Sequence, residues 1–246
     1  MAKTIIDIQR LHRDFRVGDE TVHALRDVSF SIEEGEFVTI MGTSGSGKST
    51  LLNILGCLDY PTSGEYILDG ISVRSMNKNR LAEIRNSKIG FIFQSYNLLA
   101  RTTSLDNVEL PLLYSGMGKA ERKRRAMEAL VAVGLESRVN HFPNQMSGGQ
   151  QQRVAIARAL VNNPVMLLAD EATGNLDTRT SFEILTLFQK LHDEGKTIVF
   201  VTHNPELSDY SSRTITLRDG HVTGDTRNPR IKSAAETLAS LPKNED

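Results

Sequence analysis

Short apolar runs recur along the chain, separated by longer segments in which apolar residues return every three or four positions. The short runs lack the alternation of a half-exposed strand and are bounded by turn residues, which predicts buried strands. They cover residues 37–41, 89–93, 165–169 and 197–201. Buried strands that alternate with helices are typical of a parallel sheet covered on both faces, so the pattern predicts an α/β fold.

The longer segments predict helices. Residues 48–58 are apolar around most of a helical circumference, which indicates a buried helix. An amphipathic pattern over residues 119–133 stops at Gly134, and two further apolar stripes predict helices that end near Pro164 and Gly195. Alternation over residues 28–32 predicts a half-exposed strand, and Asp219-Gly220 predicts a hairpin turn.

These elements suggest one domain with an insertion. We assign residues 1–225 to a single domain and residues 226–246 to a polar, loosely held tail, in which Ser233 and Glu236 could cap one short helix. The stretch from about residue 72 to residue 146 is rich in helix signals, and we expect an inserted helical subdomain at about residues 95–160.

Composition narrows the class of protein. The chain has 246 residues, with 39% hydrophobic residues, 24% charged residues and a net charge of −1, which argues against a nucleic-acid partner. Cys57 is the single cysteine, so no intrachain disulfide forms, and a reducing cytosol fits. No apolar run is long enough to span a bilayer, and residues 1–13 lack a signal-peptide core. We therefore expect a cytosolic chain that does not insert into a membrane.

A phosphate-binding pattern follows the first buried strand. Residues 42–49 match G-x-x-x-x-G-K-[ST], in which backbone N–H groups at a helix N-terminus cradle phosphates. Lys48 would place a cation on the β- and γ-phosphates, and the Ser49 hydroxyl would ligate Mg²⁺. The alternative is a glycine-rich turn before an ordinary helix. The predicted ATP contacts are Gly42, Thr43, Ser44, Gly45, Ser46, Gly47, Lys48, Ser49 and Thr50.

Two carboxylates end the strand predicted at residues 165–169. Asp170 is suited to the Mg²⁺ coordination shell, and Glu171 is suited to polarising an attacking water as general base. For the pair alone, an ordinary solvated strand end is the alternative. The phosphate loop upstream favours the catalytic interpretation.

Residues 146–150, Met-Ser-Gly-Gly-Gln, come about a hundred residues after the phosphate loop. With this order of motifs the sequence resembles the ATP-binding cassette (ABC) ATPases, whose signature is usually written L-S-G-G-Q. The resemblance implies a P-loop NTPase parallel-sheet core with an antiparallel β subdomain and the inserted helical subdomain. It also implies a head-to-tail homodimer, in which Ser147, Gly148, Gly149 and Gln150 bind the γ-phosphate held by the opposite protomer.

Further positions of the family can be assigned one by one. Gln94 matches the glutamine that reaches Mg²⁺ and the attacking water, with a plain surface glutamine as the alternative. Asp177 matches the loop that crosses the dimer interface, and His203 matches the histidine that contacts the γ-phosphate. Phe15 resembles the aromatic residue that stacks on adenine, with a core phenylalanine as the alternative.

Several stretches narrow the resemblance to the lipoprotein-releasing and macrolide-export ATPases, namely residues 41–45, 52–59, 107–111 and 153–159. That subfamily implies a separate permease with four transmembrane helices, and hence a position on the cytoplasmic face of the inner membrane. The sequence departs from the family at Thr43, at Met146, and at Ala172, where a proline is usual. The expected function is ATP hydrolysis that drives a transporter. A soluble ABC ATPase acting on nucleic acid or ribosomes is the alternative, and a regulatory ATP sensor is disfavoured by Glu171 and His203.

Overall fold

The structure, a computed structural model, describes residues 2–242. Its strands are β1 (Thr4–Val17), β2 (Glu20–Glu33), β3 (Phe37–Gly42), β4 (Ser63–Leu68), β5 (Ile71–Ser72), β6 (Ile89–Phe93), β7 (Met166–Asp170), β8 (Ile198–Thr202), β9 (Arg213–Arg218) and β10 (His221–Arg227). Its α-helices are α1 (Lys48–Leu55), α2 (Lys78–Lys88), α3 (Ser104–Leu113), α4 (Lys119–Ala132), α5 (Gly148–Leu160), α6 (Thr178–Asp193) and α7 (Ala234–Ser240).

The central sheet has the order β10-β9-β3-β8-β7-β6. Strands β9, β3, β8, β7 and β6 run parallel, and β10 pairs antiparallel with β9 at one edge. The four strands predicted as buried are β3, β6, β7 and β8, and their carboxyl ends lie along one edge. The predicted parallel sheet and α/β class are confirmed.

A second sheet, antiparallel throughout, has the order β2-β1-β4-β5. It packs with α1 against one face of the central sheet, around buried residues such as Ile6, Leu25 and Leu51. The opposite face of the central sheet carries α5 and α6, where Phe37, Phe188 and Phe200 form an aromatic cluster. The sheet is thus buried on both faces, as its continuous apolar strands require.

Helices α3, α4 and α5 pack on one another through fully buried residues that include Val108, Leu130 and Val154. A capping box between Thr103 and Asp106 begins α3, because the Thr103 side chain accepts from the Asp106 N–H and the Asp106 carboxylate accepts from the Thr103 N–H. These three helices fall within residues 95–160. Helix α5 connects them to the core, since β7 follows it directly.

Two predicted features differ from the structure. The helix expected over residues 48–58 ends at Leu55, because Gly56 and Cys57 turn the chain and Cys57 takes a left-handed φ of 54°. Residues 226–242 were expected to be loosely held, but they are packed against the domain. Strand β10 continues to Arg227, and α7, which Ser233 caps as predicted, buries Ala234 completely.

The Gln189 side chain of α6 holds this C-terminal segment. Its amide donates to the carbonyls of Tyr210 and Lys232 and accepts from the Ala234 N–H at 2.8 Å. Residues 243–246 of the predicted tail lie outside the described residues. Within residues 2–242, no helix combines the length and apolar character needed to cross a membrane.

Candidate functional site

The phosphate loop, residues 42–49, joins β3 to α1 in a tight curl. Gly45 and Gly47 have φ angles of 78° and 103°, which other residues rarely adopt. A Cβ at Gly47 would lie 2.7 Å from the Ala24 carbonyl oxygen of β2, and one at Gly42 would collide with Ser46 Oγ. The glycines therefore allow both the curl of the loop and its close approach to β2.

Lys48 begins α1 and folds back over this loop. Its Nζ donates to the carbonyl oxygens of Gly42 at 2.7 Å and Thr43 at 2.8 Å. The ammonium thus lies at the mouth of the loop, in front of the N-terminus of α1. Both features favour an anion there.

A cleft of about 700 Å³ opens in front of the loop. Its lining brings together many of the predicted site residues, namely Ser44, Gly45, Gly47, Lys48, Ser49, Thr50, Glu171 and His203. The remaining lining residues were not predicted from the sequence, namely Val22, His23, Ala24, Arg26, Asp219 and Gly220. The hairpin turn is fixed against the loop, since the Gly220 N–H donates to the Ser46 carbonyl at 3.1 Å.

Glu171 and His203 meet at the carboxyl ends of β7 and β8. The Glu171 carboxylate lies 2.7 Å from His203 Nδ1. Glu171 has a left-handed φ of 44°, an unfavourable conformation that its N–H bond to the Val201 carbonyl helps to hold. Ala172 is buried in the turn that follows, and the turn is closed by the Gly174 N–H donating to the Glu171 carbonyl. The absence of proline at residue 172 therefore leaves the turn intact.

Asp170 shares this end of β7. Burial raises the pKa of its carboxyl, the neighbouring Glu171 charge raises it further, and Lys48 partly opposes the shift. Two close carboxylates and the Ser49 hydroxyl are hard oxygen donors, the set that Mg²⁺ prefers. Among the described residues no group of three His, Cys, Asp or Glu side chains could hold a metal.

Gln94 follows β6 and faces residues 174–175 of its own chain. Its Nε2 lies 3.2 Å from Asn175 Oδ1, and the Asn175 side chain donates to the Gln94 carbonyl. A Cβ at Gly174 would come within 2.7 Å of Gln94 Nε2. Gln94 is thus held beside the loop that leads to Asp177, and it is not one of the residues that line the cleft.

Ser147 is the N-cap of α5. Its hydroxyl accepts from the Gln150 N–H at 3.3 Å, and the Gln150 side chain accepts from the Ser147 N–H at 3.1 Å. Gly148 packs against the Tyr96 hydroxyl, and a side chain at Gly149 would collide with Thr180. This helix N-terminus is exposed at Ser147, and residues 147–150 do not line the phosphate-loop cleft of the same chain.

Asp177 is the N-cap of α6, and its carboxylate accepts from the Thr180 N–H at 3.0 Å. Hydrogen bonds from the Thr180 side chain, and then from its backbone, lower the pKa of this carboxyl. Phe15 is 37% exposed and pairs across β1 and β2 with Val22, a residue of the cleft. The alternative of a buried core phenylalanine therefore does not hold.

This arrangement defines a class of protein. A phosphate loop between a strand and a helix, with two carboxylates at the end of a parallel strand two positions away in the same sheet, is the site of a P-loop nucleoside triphosphatase. The exposed helix N-terminus at Ser147 lies outside the cleft in front of the phosphate loop.

The ABC transporter family model matches residues 25–174. An uncharacterized ABC transporter ATP-binding protein of Thermotoga maritima is 57% identical over 225 residues, which are 92% of this chain and 96% of the relative. The macrolide export ATP-binding/permease protein MacB of Chlorobium luteolum is 52% identical over 227 residues, which are 92% of this chain but 34% of the relative.

Among solved structures, the ATP-binding cassette MJ0796 in a dimeric post-hydrolysis state with ADP and Pi superposes with a TM-score of 0.83. It is 47% identical, and the match covers 91% of this chain and 99% of that one. The chain belongs to the ABC transporter family. The predicted family, fold class and ATP-hydrolysing function are thereby confirmed.

Proposed function

We propose that two copies of this chain close around two molecules of MgATP, hydrolyse them, and so drive a separate membrane permease. One observation carries the proposal. The exposed N-terminus of α5 at Ser147 offers an anion cradle, yet residues 147–150 do not line the phosphate-loop cleft of their own chain. A second copy, placed head to tail, would bring this cradle to the γ-phosphate. The dimeric form of the MJ0796 cassette supports this arrangement.

In this proposal the residues in and around the cleft have distinct roles. Phe15 stacks on adenine, Lys48 neutralises the β- and γ-phosphates, and backbone N–H groups of residues 42–50 bind phosphate oxygens. Ser49 and Asp170 would hold Mg²⁺, which would neutralise charge on the phosphates. Gln94 would add a further oxygen ligand.

The catalytic pair is Glu171 and His203. The Glu171 carboxylate polarises the attacking water as general base. His203 is exposed and bonded to that carboxylate, so it can turn to donate to the γ-phosphate. The loop that contains Asp177 crosses the interface between the two copies, close to the Ser147 cradle.

A second cleft of about 700 Å³ offers a place for the permease. It lies between α2, β6, α3 and α5, and it contains the stacked rings of Phe91 and Phe93, at 4.8 Å, and the exposed Tyr114. Arg158 of α5 also lines it and donates to the carbonyls of Tyr96 and Asn97, at 2.7 and 2.6 Å.

Arg158 therefore connects this cleft to both motifs that the dimer needs. Residues 96 and 97 follow Gln94, and the helix that carries Arg158 begins at Ser147. A permease segment in the cleft would thus act on Gln94 and on the cradle together. The likeness to MacB, a macrolide export ATP-binding/permease protein, favours export. The stretches that resemble the lipoprotein-releasing and macrolide-export ATPases favour a permease of the four-transmembrane-helix type, export or lipoprotein release, and a position on the cytoplasmic face of the membrane.

The alternative of an ABC ATPase acting on nucleic acid or ribosomes is not favoured. The relatives reported above are transporter ATP-binding proteins, and a net charge of −1 is not that of a strongly basic chain.

Replacing Glu171 with glutamine tests the proposed chemistry. Glu171→Gln keeps the shape of the side chain and loses the base, so we expect ATP hydrolysis to fall by about a hundredfold or more while ATP binding remains. The variant accumulates as an ATP-bound dimer, which sedimentation with MgATP measures. Glu136→Gln, at an exposed position of the helical subdomain, is the matched control. Turnover close to that of the control would show that another group is the base.

A further inference from the structure

One face of the Phe15 ring is already covered. The Arg13 guanidinium carbon lies 4.4 Å from the ring centroid, within the range of a cation–π contact. Phe15 is 37% exposed, and its cross-strand partner Val22 lines the nucleotide cleft. A base that stacks on Phe15 therefore has one free face to use.

Arg13 is itself held in place by Asp59. Its Nε donates to Asp59 Oδ2 at 2.9 Å and its Nη2 donates to Asp59 Oδ1 at 3.0 Å, a bidentate pair that fixes the guanidinium plane. Asp59 Oδ1 also accepts from the Tyr60 N–H. Both side chains of the pair are about three-quarters shielded from solvent, with 23% and 26% of their surface exposed. The pair is thus more than a mobile surface contact.

The pair also spans two parts of the site. Arg13 belongs to β1, which carries Phe15, and Asp59 follows α1, which begins at Lys48. Neighbouring bonds join the same segments, from the Thr62 N–H to the His12 carbonyl and from the Asp14 N–H to Thr62 Oγ1. The distance from the phosphate loop to the stacking ring is therefore set in part by Arg13 and Asp59.

The charge of Arg13 changes what the free face of the ring can bind. Aromatic faces carry partial negative charge, so two stacked rings repel each other electrostatically where their faces overlap. A cation on the far face withdraws electron density and lessens this repulsion. The planar guanidinium, held by Asp59, also keeps the ring from tilting.

We propose that Arg13 is a positioning residue for nucleotide binding, which acts through Phe15 by covering one ring face and leaving the other for the base. The inference rests on the proposed role of Phe15 in adenine stacking. The purine ring stacks on the face of Phe15 opposite Arg13, and Arg13 does not contact the phosphates.

The test uses Arg13→Leu in the full-length protein, with steady-state ATPase kinetics. The KM for ATP rises about two- to fivefold, the worth of an exposed cation–π contact, while kcat is unchanged. Asp59→Asn, which leaves Arg13 in the chain but frees it, shifts KM in the same direction. Arg16→Leu is the matched control, since Arg16 is exposed, lies next to Phe15 and points to the opposite face of the strand. It leaves KM unchanged.

A ligand without a base separates this role from a structural one. Inorganic tripolyphosphate competes for the phosphate loop, and its inhibition constant is unchanged in Arg13→Leu. An equal loss for ATP and tripolyphosphate overturns the proposal, because Arg13 would then act on the phosphates or on the fold.

Combining Arg13→Leu with Phe15→Leu tests the path of the effect. In the Phe15→Leu background, the Arg13 change adds nothing to KM. If Phe15→Leu raises KM and Arg13→Leu alone does not, the positioning role is overturned while the adenine site stands. If Phe15→Leu itself leaves KM unchanged, the adenine site is wrong and the inference falls with it.

Discussion

Asp170 and Glu171 are adjacent carboxylates at one strand end, and their charges make the site costly to fold in the absence of a cation. Burial raises the pKa of Asp170 above the ordinary aspartate range, and the Glu171 charge adds to the shift. Between the ordinary and the raised pKa the folded state binds more protons than the unfolded state. The free energy of unfolding therefore falls as pH rises through the raised pKa of Asp170, and the cost is fully present above it.

This cost can be measured with Asp170→Asn. Without nucleotide at neutral pH, we expect the variant to melt a few degrees higher than the parent, because a partly buried charge is removed. The gain disappears as pH falls below the ordinary aspartate range, where both the folded and the unfolded state are protonated. The stabilisation that MgATP gives the parent is lost. Thermal unfolding with and without MgATP checks both effects.

Asp177→Asn is the control for this experiment. Hydrogen bonds from Thr180 lower the pKa of Asp177, so its charge stabilises the fold at neutral pH and its removal does not raise the melting temperature. A melting temperature of Asp170→Asn at or below that of the parent would show that the Asp170 charge carries no folding cost.

At the scale of elements, the sequence predicts those whose pattern is local. Strands β3, β6, β7 and β8 are buried on both faces, so a continuous apolar run identifies each. Strand β1 was not predicted because its alternation of apolar and polar residues is interrupted. Ile6 and Ile8 point inward, and the next inward residue is Leu11 instead of residue 10. The pairing of β1 with β2 is irregular there, and Arg10 has a φ of 45°.

The site divides in the same way. The phosphate loop, the acidic pair and the signature are contiguous in sequence, so their chemistry can be read from it. The β2 wall of the cleft and the Asp219-Gly220 turn come to the loop only through tertiary packing, as the bond from the Gly220 N–H to Ser46 illustrates. No periodicity in residues 22–26 indicates such a role.

The sequence suggests the C-terminal helix α7 but not its packing against the domain. Polar contacts hold this helix, and they leave no apolar pattern in the sequence. Gln189 makes three hydrogen bonds to backbone groups around it. We expect Gln189→Leu to lower the free energy of unfolding by about 2 kcal/mol, since partly buried backbone groups lose their partners. Urea unfolding measures this change.

Lys190→Leu is the matched control, because Lys190 is the next residue of α6 and is exposed. A similar loss in both variants would mean that α6 tolerates no leucine there, and that the Gln189 bonds are not the cause. An unchanged free energy in Gln189→Leu would mean that α7 contributes nothing to stability.

At the scale of the whole molecule, the proposed ATP site is one that a single chain does not complete. The phosphate loop opens into one cleft, and the Ser147 cradle lies outside it with its own exposed helix N-terminus. Arg158 connects that helix to the segment after Gln94, so closing the site and receiving a permease would involve the same element. In the proposed dimer, each ATP is therefore bound between two copies.

Mixing two inactive variants tests whether the ATP site is shared between two copies. Lys48→Ala removes the phosphate-loop cation, and Ser147→Arg fills the cradle at an exposed position, so that each variant alone has two broken sites. Circular dichroism first checks that Ser147→Arg is folded, since the change also removes the α5 cap, worth about 1 kcal/mol.

In a mixed dimer one site carries both lesions, and the other joins an intact phosphate loop to an intact cradle. Sedimentation with MgATP should then show more dimer in the mixture than in either variant alone. If each chain used its own Ser147, both copies would stay broken. Dimer formation in the mixture no greater than in the separate variants would contradict the composite site.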